Sequence, residues 1–251
     1  MLVKEMGKVV LVTGGAKGIG AAIVEELAKK GYDVVINYNT SELEANELND
    51  KIQKYNVKTM VIKCDVSEEN QVNEMVKKIE EKFGGVDILI NNAAVNFNDF
   101  FYKKSINDFK RTMDVNVLGA FIVSKYVSKY MINNKWGRII NIASTNGINT
   151  YYPICLDYDA SKAALISLTH NMAIEFSPYI NVNAIAPGFI GTDSELEGMD
   201  EAFIKSEEEK ILVKRMGKPI EVAKLVSFLV SDDASYINNS VIRIDGGQYG
   251  A

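Results

Sequence analysis

The chain has 251 residues, of which 47% are hydrophobic, enough to bury the core of one α/β domain. Its formal net charge of −5, with lysine and arginine scattered along the chain, argues against nucleic acid as a main partner. Residues 1–8 contain no apolar leader and no apolar run is long enough to span a bilayer, so we expect a cytoplasmic protein without membrane contact. Cys64, Cys155 and the single His170 have no partners at metal-ligand spacing, so we expect no metal site.

Short β-branched and apolar runs alternate with longer amphipathic runs. Strands are predicted at Lys8–Thr13, Tyr32–Tyr38, Lys58–Cys64, Val86–Ile90, Gly137–Ala143, Ile180–Ala186 and Ser240–Ile244. Helices are predicted at about Gly18–Lys30, Ser41–Tyr55, Tyr158–Phe176 and Glu221–Val230. A further helix is predicted to follow Ser67, which would be its N-cap, and another to run from the fourth strand to about Asn133.

This alternation predicts a single-domain, Rossmann-like α/β fold. Because the strands are apolar on nearly every residue, we expect a doubly wound parallel sheet of about seven strands, covered by helices on both faces. No repeat or composition break divides residues 1–251, so we expect one dinucleotide-binding catalytic domain. Residues 188–216 are the least regular stretch and are predicted to cover the substrate.

A glycine-rich loop, Thr13–Gly20 (TGGAKGIG), joins the first strand to the first helix. Glycines here allow a tight turn and close backbone approach to a pyrophosphate at the positive end of the helix. A glycine-rich turn that binds nothing is the alternative, but the position between a strand and a helix favours dinucleotide binding. The expected cofactor contacts in this loop are Gly14, Lys17, Gly18, Ile19 and Gly20.

The end of the second strand is where the cofactor's 2′ position is recognised. Residues 37–41 (NYNTS) carry no carboxylate, and Lys17 adds a positive charge in the preceding loop. Neutral side chains with a nearby cation suit a 2′-phosphate, so the sequence favours NADP(H) over NAD(H), with Asn37 among the cofactor contacts. The alternative is that Lys17 is only a solvated loop residue.

Tyr158 and Lys162 are four residues apart in a predicted helix, so their side chains share one face. A free tyrosine, with a pKa of about 10, is a poor acid–base group at neutral pH, and a neighbouring ammonium would lower that pKa. Ser144 ends the fifth strand, at the edge where open α/β sheets bind ligands. Taken alone, the tyrosine–lysine pair is also typical of an ordinary helix surface.

The motifs follow one another in a specific order. The chain presents the TGxxxGxG loop, then Asn91-Asn92-Ala93-Ala94, Asn116, Ser144, Tyr158 with Lys162, and Pro187-Gly188. In this combination the chain resembles the short-chain dehydrogenase/reductase family over essentially its whole length. Within that family the pattern is most similar to 3-oxoacyl-acyl-carrier-protein reductases and the related sugar and steroid dehydrogenases.

The resemblance implies an oxidoreductase that interconverts a ketone and a secondary alcohol by hydride transfer. Tyr158 would be the general acid in reduction, Lys162 would hold the nicotinamide ribose, Ser144 would orient the reacting oxygen, and Asn116 would anchor a proton-relay water. The resemblance also implies cofactor contacts at Asp65, Val66, Asn92, Ala93, Tyr158, Lys162, Pro187, Gly188, Ile190 and Thr192. The expected substrate contacts are Ser144, Tyr158 and Cys155.

Several alternatives stay open at this stage. Lys135 fits a basic residue that would meet an acidic carrier protein, but Pro178 stands where a second is expected, so a sugar, polyol or steroid dehydrogenase remains the alternative to a thioester reductase. A non-catalytic dinucleotide-binding sensor is disfavoured because the catalytic set is complete. Ala94 and Asn238-Asn239 depart from the family's usual Gly and Thr-Gly. The resemblance also implies a homotetramer.

Overall fold

One parallel sheet organises the computed structural model, which describes residues 7–192, 196–197 and 199–248. Its strands are β1 Val9–Val12, β2 Asp33–Tyr38, β3 Thr59–Lys63, β4 Ile88–Asn91, β5 Gly137–Ile142, β6 Ile180–Pro187 and β7 Val241–Ile244. The order across the sheet is β3-β2-β1-β4-β5-β6-β7, with every neighbouring pair parallel. The order reverses between β1 and β4, which opens a crevice at the carboxyl ends of these strands.

Helices cover both faces of the sheet. They are α1 Gly18–Lys30, α2 Glu42–Ile52, α3 Glu69–Phe83, α4 Ile106–Met113, α5 Ala120–Asn133, α6 Leu156–Glu175, α7 Glu201–Glu209 and α8 Pro219–Val230. Residues of α1, α2 and α8 form one core with alternate strand residues such as Val10 and Val12, while α3, α5 and α6 form the other with Val9 and Leu11. The predicted fold class is therefore confirmed, with both faces of β1 buried as the apolar pattern requires.

Two predicted helix starts are wrong. The helix after β4 does not follow the strand directly: residues 92–105 are not helical, and α4 begins only after Ser105, whose hydroxyl accepts from the Asn107 and Asp108 amides. Ser67 is not the N-cap of α3, since Glu68 holds that position. The Ser67 hydroxyl donates to Asp65 Oδ1 at 2.7 Å, a charge-assisted hydrogen bond.

The departures from the family pattern are accommodated by the backbone. Ala94 does not have a positive φ, so its methyl group introduces no backbone strain. Asn239 lies in the left-handed region at φ 58°, a conformation that asparagine tolerates, and its Oδ1 lies 2.6 Å from His170 Nδ1.

The excursion at residues 188–216 contains α7, although residues 193–195 and 198 lie outside the described part of the chain, as do residues 1–6 of the N-terminus. Within the described ranges, none of the helices has the length and apolar character needed to cross a membrane.

Candidate active site

The glycine-rich loop is pressed against the loop that follows β4. Gly14 has a φ of 59°, and a Cβ atom there would lie 2.9 Å from the Ala93 Cα atom. A Cβ atom on Gly20 would lie 2.3 Å from the Gly14 carbonyl oxygen. Asn92 Nδ2 donates to the carbonyl oxygens of Thr13 and Gly14 at 3.0 and 2.9 Å and joins the two loops. No side chain other than hydrogen fits at these two glycines, so bare backbone faces the crevice.

The first turn of α1 suits an anion. Its N-cap, Lys17, makes no side-chain capping hydrogen bond, and the turn contains no acidic residue. The first N–H groups of a helix have no partners within the helix and carry the positive end of its dipole. Together with the bare glycine backbone, this arrangement fits the pyrophosphate of a dinucleotide.

Asn37 lies beneath this loop rather than in the crevice. Its side chain is 1% exposed; Oδ1 accepts from the Gly14 amide at 3.2 Å, and Nδ2 donates to the Cys64 carbonyl oxygen at 3.0 Å. The residue thereby ties the end of β2 to the ends of β1 and β3. Its buried amide is already committed to protein partners.

Lys17 has a partner that the sequence analysis missed. Its Nζ atom lies 2.5 Å from Glu44 Oε1, and the ion pair lowers the pKa of Glu44. Both side chains are well exposed. The pattern of residues 37–41 gave no signal for this contact, because Glu44 lies beyond that segment, in the first turn of α2.

Asp65 is held in place by neighbours at the carboxyl end of β3. Its Oδ2 atom accepts from Arg111 Nη2 at 2.6 Å, while Ser67 binds Oδ1. Desolvation opposes ionisation, but the hydrogen bonds from Ser67 and Arg111 outweigh it and lower the pKa of Asp65. Arg111, on α4, was not expected from the sequence, and it presets an ionised carboxylate at this edge.

A cavity of about 490 Å³ opens at the sheet edge. The predicted site residues that line it are Gly14, Lys17, Gly18, Ile19, Gly20, Asn92, Ala93, Ser144, Cys155, Tyr158, Lys162, Pro187, Gly188, Ile190 and Thr192. Asn37, Asp65, Val66 and Asn116 are not among the lining residues. The structure therefore brings the glycine-rich loop, the serine and the tyrosine–lysine pair to one cavity.

Tyr158 and Lys162 lie on successive turns of α6. Lys162 Nζ is 5.3 Å from the centre of the Tyr158 ring and donates to the Ile142 carbonyl oxygen at 2.7 Å. Burial, which leaves this lysine 2% exposed, lowers its pKa to about 8. The ammonium is thus held beside the phenol ring by a backbone carbonyl at the end of β5.

The Ser144 hydroxyl is fixed by Asn146. Ser144 Oγ accepts from the Asn146 amide at 3.2 Å and donates to Asn146 Oδ1 at 3.3 Å. Asn146 Nδ2 in turn donates to Asp159 Oδ1 at 2.7 Å. The serine is therefore connected to the residue directly after Tyr158.

Asn116 lies in a π-helical segment, Asp114–Gly119, between α4 and α5. Its Nδ2 atom donates to Ser161 Oγ at 2.9 Å and to the Val95 carbonyl oxygen at 3.0 Å. Asn116 thus joins α6 to the loop after β4. Short π-helical segments release backbone carbonyl groups from the regular helix pattern, often at functional sites.

A buried ion pair precedes the tyrosine. Lys104 Nζ donates to Asp157 Oδ1 at 2.8 Å and also to the Phe97 carbonyl oxygen, and Thr112 Oγ1 donates to Asp157 Oδ2 at 2.8 Å. Desolvation opposes the charge, but the hydrogen bonds from Lys104 and Thr112 keep the pKa of Asp157 low. Sequence reasoning missed this pair, although the Asp157-Tyr158-Asp159 sequence was a signal for it.

The chain is similar to known oxidoreductases over nearly its whole length. Residues 14–248 match the family described as enoyl-(acyl carrier protein) reductase. The chain is 38% identical to 3-oxoacyl-[acyl-carrier-protein] reductase FabG of Aquifex aeolicus, over 99% of this chain and all of the relative. It is 35% identical to glucose 1-dehydrogenase 2 of Bacillus subtilis, over 96% and 94% of the two chains.

The chain also superimposes closely on solved structures of oxidoreductases. A short-chain dehydrogenase/reductase from Serratia marcescens superimposes with a TM-score of 0.92 at 33% identity, over 97% of this chain and 98% of that one. Acetoin dehydrogenase YohF from Salmonella typhimurium superimposes with a TM-score of 0.87 at 34% identity, over 97% and 96% of the two chains.

The low pKa of Lys162 predicts a pH dependence of stability. Between about pH 8 and 10.5 the unfolded chain keeps the Lys162 proton that the folded chain has released, so the free energy of unfolding should rise with pH through this window. Urea unfolding of the wild type and Lys162→Met across these pH values should show a shallower rise in the variant. Equal slopes would contradict the buried position of the ammonium.

The Lys104–Asp157 pair predicts a large stability effect. Lys104→Met leaves a buried carboxylate without its cation, so it should lower the free energy of unfolding by about 3 kcal/mol or more. Lys125→Met is the matched control, because Lys125 and Glu69 are both about half exposed and their pair is worth at most about 1 kcal/mol. Similar losses for the two variants in chemical denaturation would be evidence against the buried pair.

Proposed function

This chain belongs to the short-chain dehydrogenase/reductase family of oxidoreductases, and from that premise we propose that it is an NADP-dependent reductase of 3-oxoacyl thioesters. The observation that carries the proposal is the cavity where Ser144 and the Tyr158–Lys162 pair meet the glycine-rich loop. The full-length similarity to a 3-oxoacyl-[acyl-carrier-protein] reductase supports the substrate class. Similarity to a glucose 1-dehydrogenase and an acetoin dehydrogenase favours a sugar or hydroxyketone as the second candidate.

The nicotinamide dinucleotide, when bound, supplies or accepts the hydride. The fit of the site to this cofactor rests on the bare glycine backbone and the uncapped first turn of α1, which would hold the pyrophosphate. Lys162 would hold the nicotinamide ribose. The remaining contacts are proposed at Asp65 and Val66 for the adenine, Asn92 and Ala93 for its ribose, and Pro187, Gly188, Ile190 and Thr192 for the nicotinamide.

The protein's own part in the reaction is to position an oxygen and move a proton. Because the Asn146 amide already donates to Ser144 Oγ, the serine proton is free to turn from Asn146 Oδ1 to a substrate carbonyl oxygen. Tyr158 then gives its phenolic proton to the same oxygen. The buried Lys162 ammonium stabilises the phenolate that remains by charge attraction. Asn116, joined to α6 through Ser161, is proposed to anchor the water that restores the proton.

The preference for NADP rests on Lys17. A 2′-phosphate would compete with Glu44 for this ammonium, and both groups are exposed enough to rearrange. Neutral side chains at residues 37–41 present no charge that would repel the phosphate. We propose further that the whole of residues 1–251 acts as one catalytic domain in a cytoplasmic homotetramer, as the family resemblance implies.

Tyr158→Phe should abolish turnover while keeping cofactor affinity, because it removes the transferable proton and little else. The assay is NADPH oxidation with an acetoacetyl thioester, beside a fluorescence titration with NADPH. Tyr236→Phe, at a fully exposed tyrosine, is the control and should retain wild-type activity. Near-normal turnover in Tyr158→Phe would refute the catalytic assignment, and its loss would exclude a non-catalytic sensor.

Fluorescence titration should show tighter binding of NADPH than of NADH. Lys17→Ala should reduce that preference by about tenfold, because it removes a charge-assisted contact to the phosphate. Glu44→Gln should increase the preference, since the competing carboxylate is gone. The reverse order of affinities in the wild type would disprove the proposed role of Lys17.

A further inference from the structure

A buried polar cluster lies at the end of the cavity formed by α7 and the C-terminal segment. Tyr152, which lines the cavity, donates its hydroxyl proton to Glu207 Oε2 at 2.5 Å. Glu207 is 2% exposed, and its other oxygen accepts from Lys210 Nζ at 2.7 Å. The single proton of the Tyr152 hydroxyl is therefore committed to a buried carboxylate.

This commitment decides how the Gln248 amide is oriented. The Gln248 side chain hydrogen-bonds the Tyr152 hydroxyl. Because that hydroxyl already donates its one hydrogen bond to Glu207, it can only accept a second one, so Gln248 must present Nε2 to it. The carbonyl oxygen, Oε1, consequently points away from Tyr152.

Gln248 Oε1 is a buried acceptor without a donor. The residue is 5% exposed and lines the cavity, and no described residue hydrogen-bonds this oxygen. Gly188 passes close to it, since a Cβ atom on Gly188 would lie 2.7 Å from Oε1. The Gly188 amide cannot serve as donor, because it already donates to the Ile244 carbonyl oxygen at 3.1 Å.

The main chain of Gln248 is held by two hydrogen bonds. The backbone N–H group of Gln248 donates to the Asp245 carbonyl oxygen at 3.1 Å and closes a turn after β7. Arg243 Nη2 donates to the backbone carbonyl oxygen of Gln248 at 2.9 Å. A buried, unpaired acceptor is costly unless a water or a bound molecule supplies the donor, and its place in the cavity wall makes this oxygen available to a ligand.

We propose that Gln248 is a specificity-determining residue, whose Oε1 accepts a hydrogen bond from an O–H or N–H group of the substrate. The inference rests on the proposed function and narrows it. The substrate is a ketone that carries a donor apart from the reacting carbonyl: either the hydroxyl of a hydroxyketone or sugar, or the amide N–H of a thioester arm. Sites built to hydrogen-bond a substrate group discriminate strongly against analogues that lack it.

Two matched substrate pairs distinguish the two sources of the donor. The first is 3-hydroxy-2-butanone and its O-methyl ether, and the second is acetoacetyl-N-acetylcysteamine and its analogue methylated at the amide nitrogen. Each pair keeps the reacting ketone and removes one donor. The measurement is kcat/KM for NADPH-dependent reduction by the wild type and by Gln248→Met, which replaces the amide with an apolar side chain of similar size.

We expect Gln248→Met to lower kcat/KM for the donor-bearing member of one pair about 10-fold to 100-fold more than for its partner. The pair that responds identifies the source of the donor. Tyr152→Phe, which removes the group that orients the amide, should reduce discrimination within the same pair. Thermal unfolding and NADPH titration of each variant separate this effect from misfolding or a changed cofactor site.

Equal losses for both members of both pairs would overturn the inference, because Gln248 would then have only a packing role or bind only water. In that case the proposed function would still hold, provided that the wild type reduces these ketones with NADPH. Absence of NADPH oxidation by the wild type with all four compounds would overturn the proposed function and this inference with it.

Discussion

The close contact between the loops after β1 and β4 is the constraint on which the site depends. These strands are neighbours at the point where the strand order reverses, so their loops diverge to opposite sides of the sheet and leave a crevice. The absence of side chains at Gly14 and Gly20 lets the two loops touch. Asn92 joins the two loops by hydrogen bonds and Asn37 accepts from the Gly14 amide, so the backbone proposed to bind phosphate is preformed.

Helix α6 is held on both sides of Tyr158. Asp157 joins α6 to Lys104 in the loop region after β4, and Asp159 joins it to Asn146 beside Ser144. Buried ion pairs contribute little net stability compared with an apolar replacement, but they are costly to break and so restrict the conformations available. The two aspartates therefore serve to restrict the position of Tyr158 relative to the serine and the cofactor loop.

The two ends of the cavity are built differently. The end proposed to bind the cofactor consists of backbone groups and glycines, which leave little freedom for variation. The end proposed to bind the substrate consists of side chains from three separate segments, represented by Tyr152, Glu207 and Gln248. Their hydrogen-bond donors and acceptors can change without altering the fold, which allows one fold to serve different substrates.

The sequence by itself determined the fold class, the order of the motifs along the chain and the placement of Tyr158 and Lys162 on one helix face. Hydrophobic periodicity and helical spacing are local properties, so they can be read without the tertiary structure. The sequence did not reveal the partners of Lys17 and Asp157, nor the late start of α4, since these depend on residues brought together from distant segments. The orientation of the Gln248 amide is the clearest case. It follows from the hydrogen bond that Tyr152 donates to Glu207. These two residues are 55 positions apart in the chain, and only the tertiary structure places them in contact.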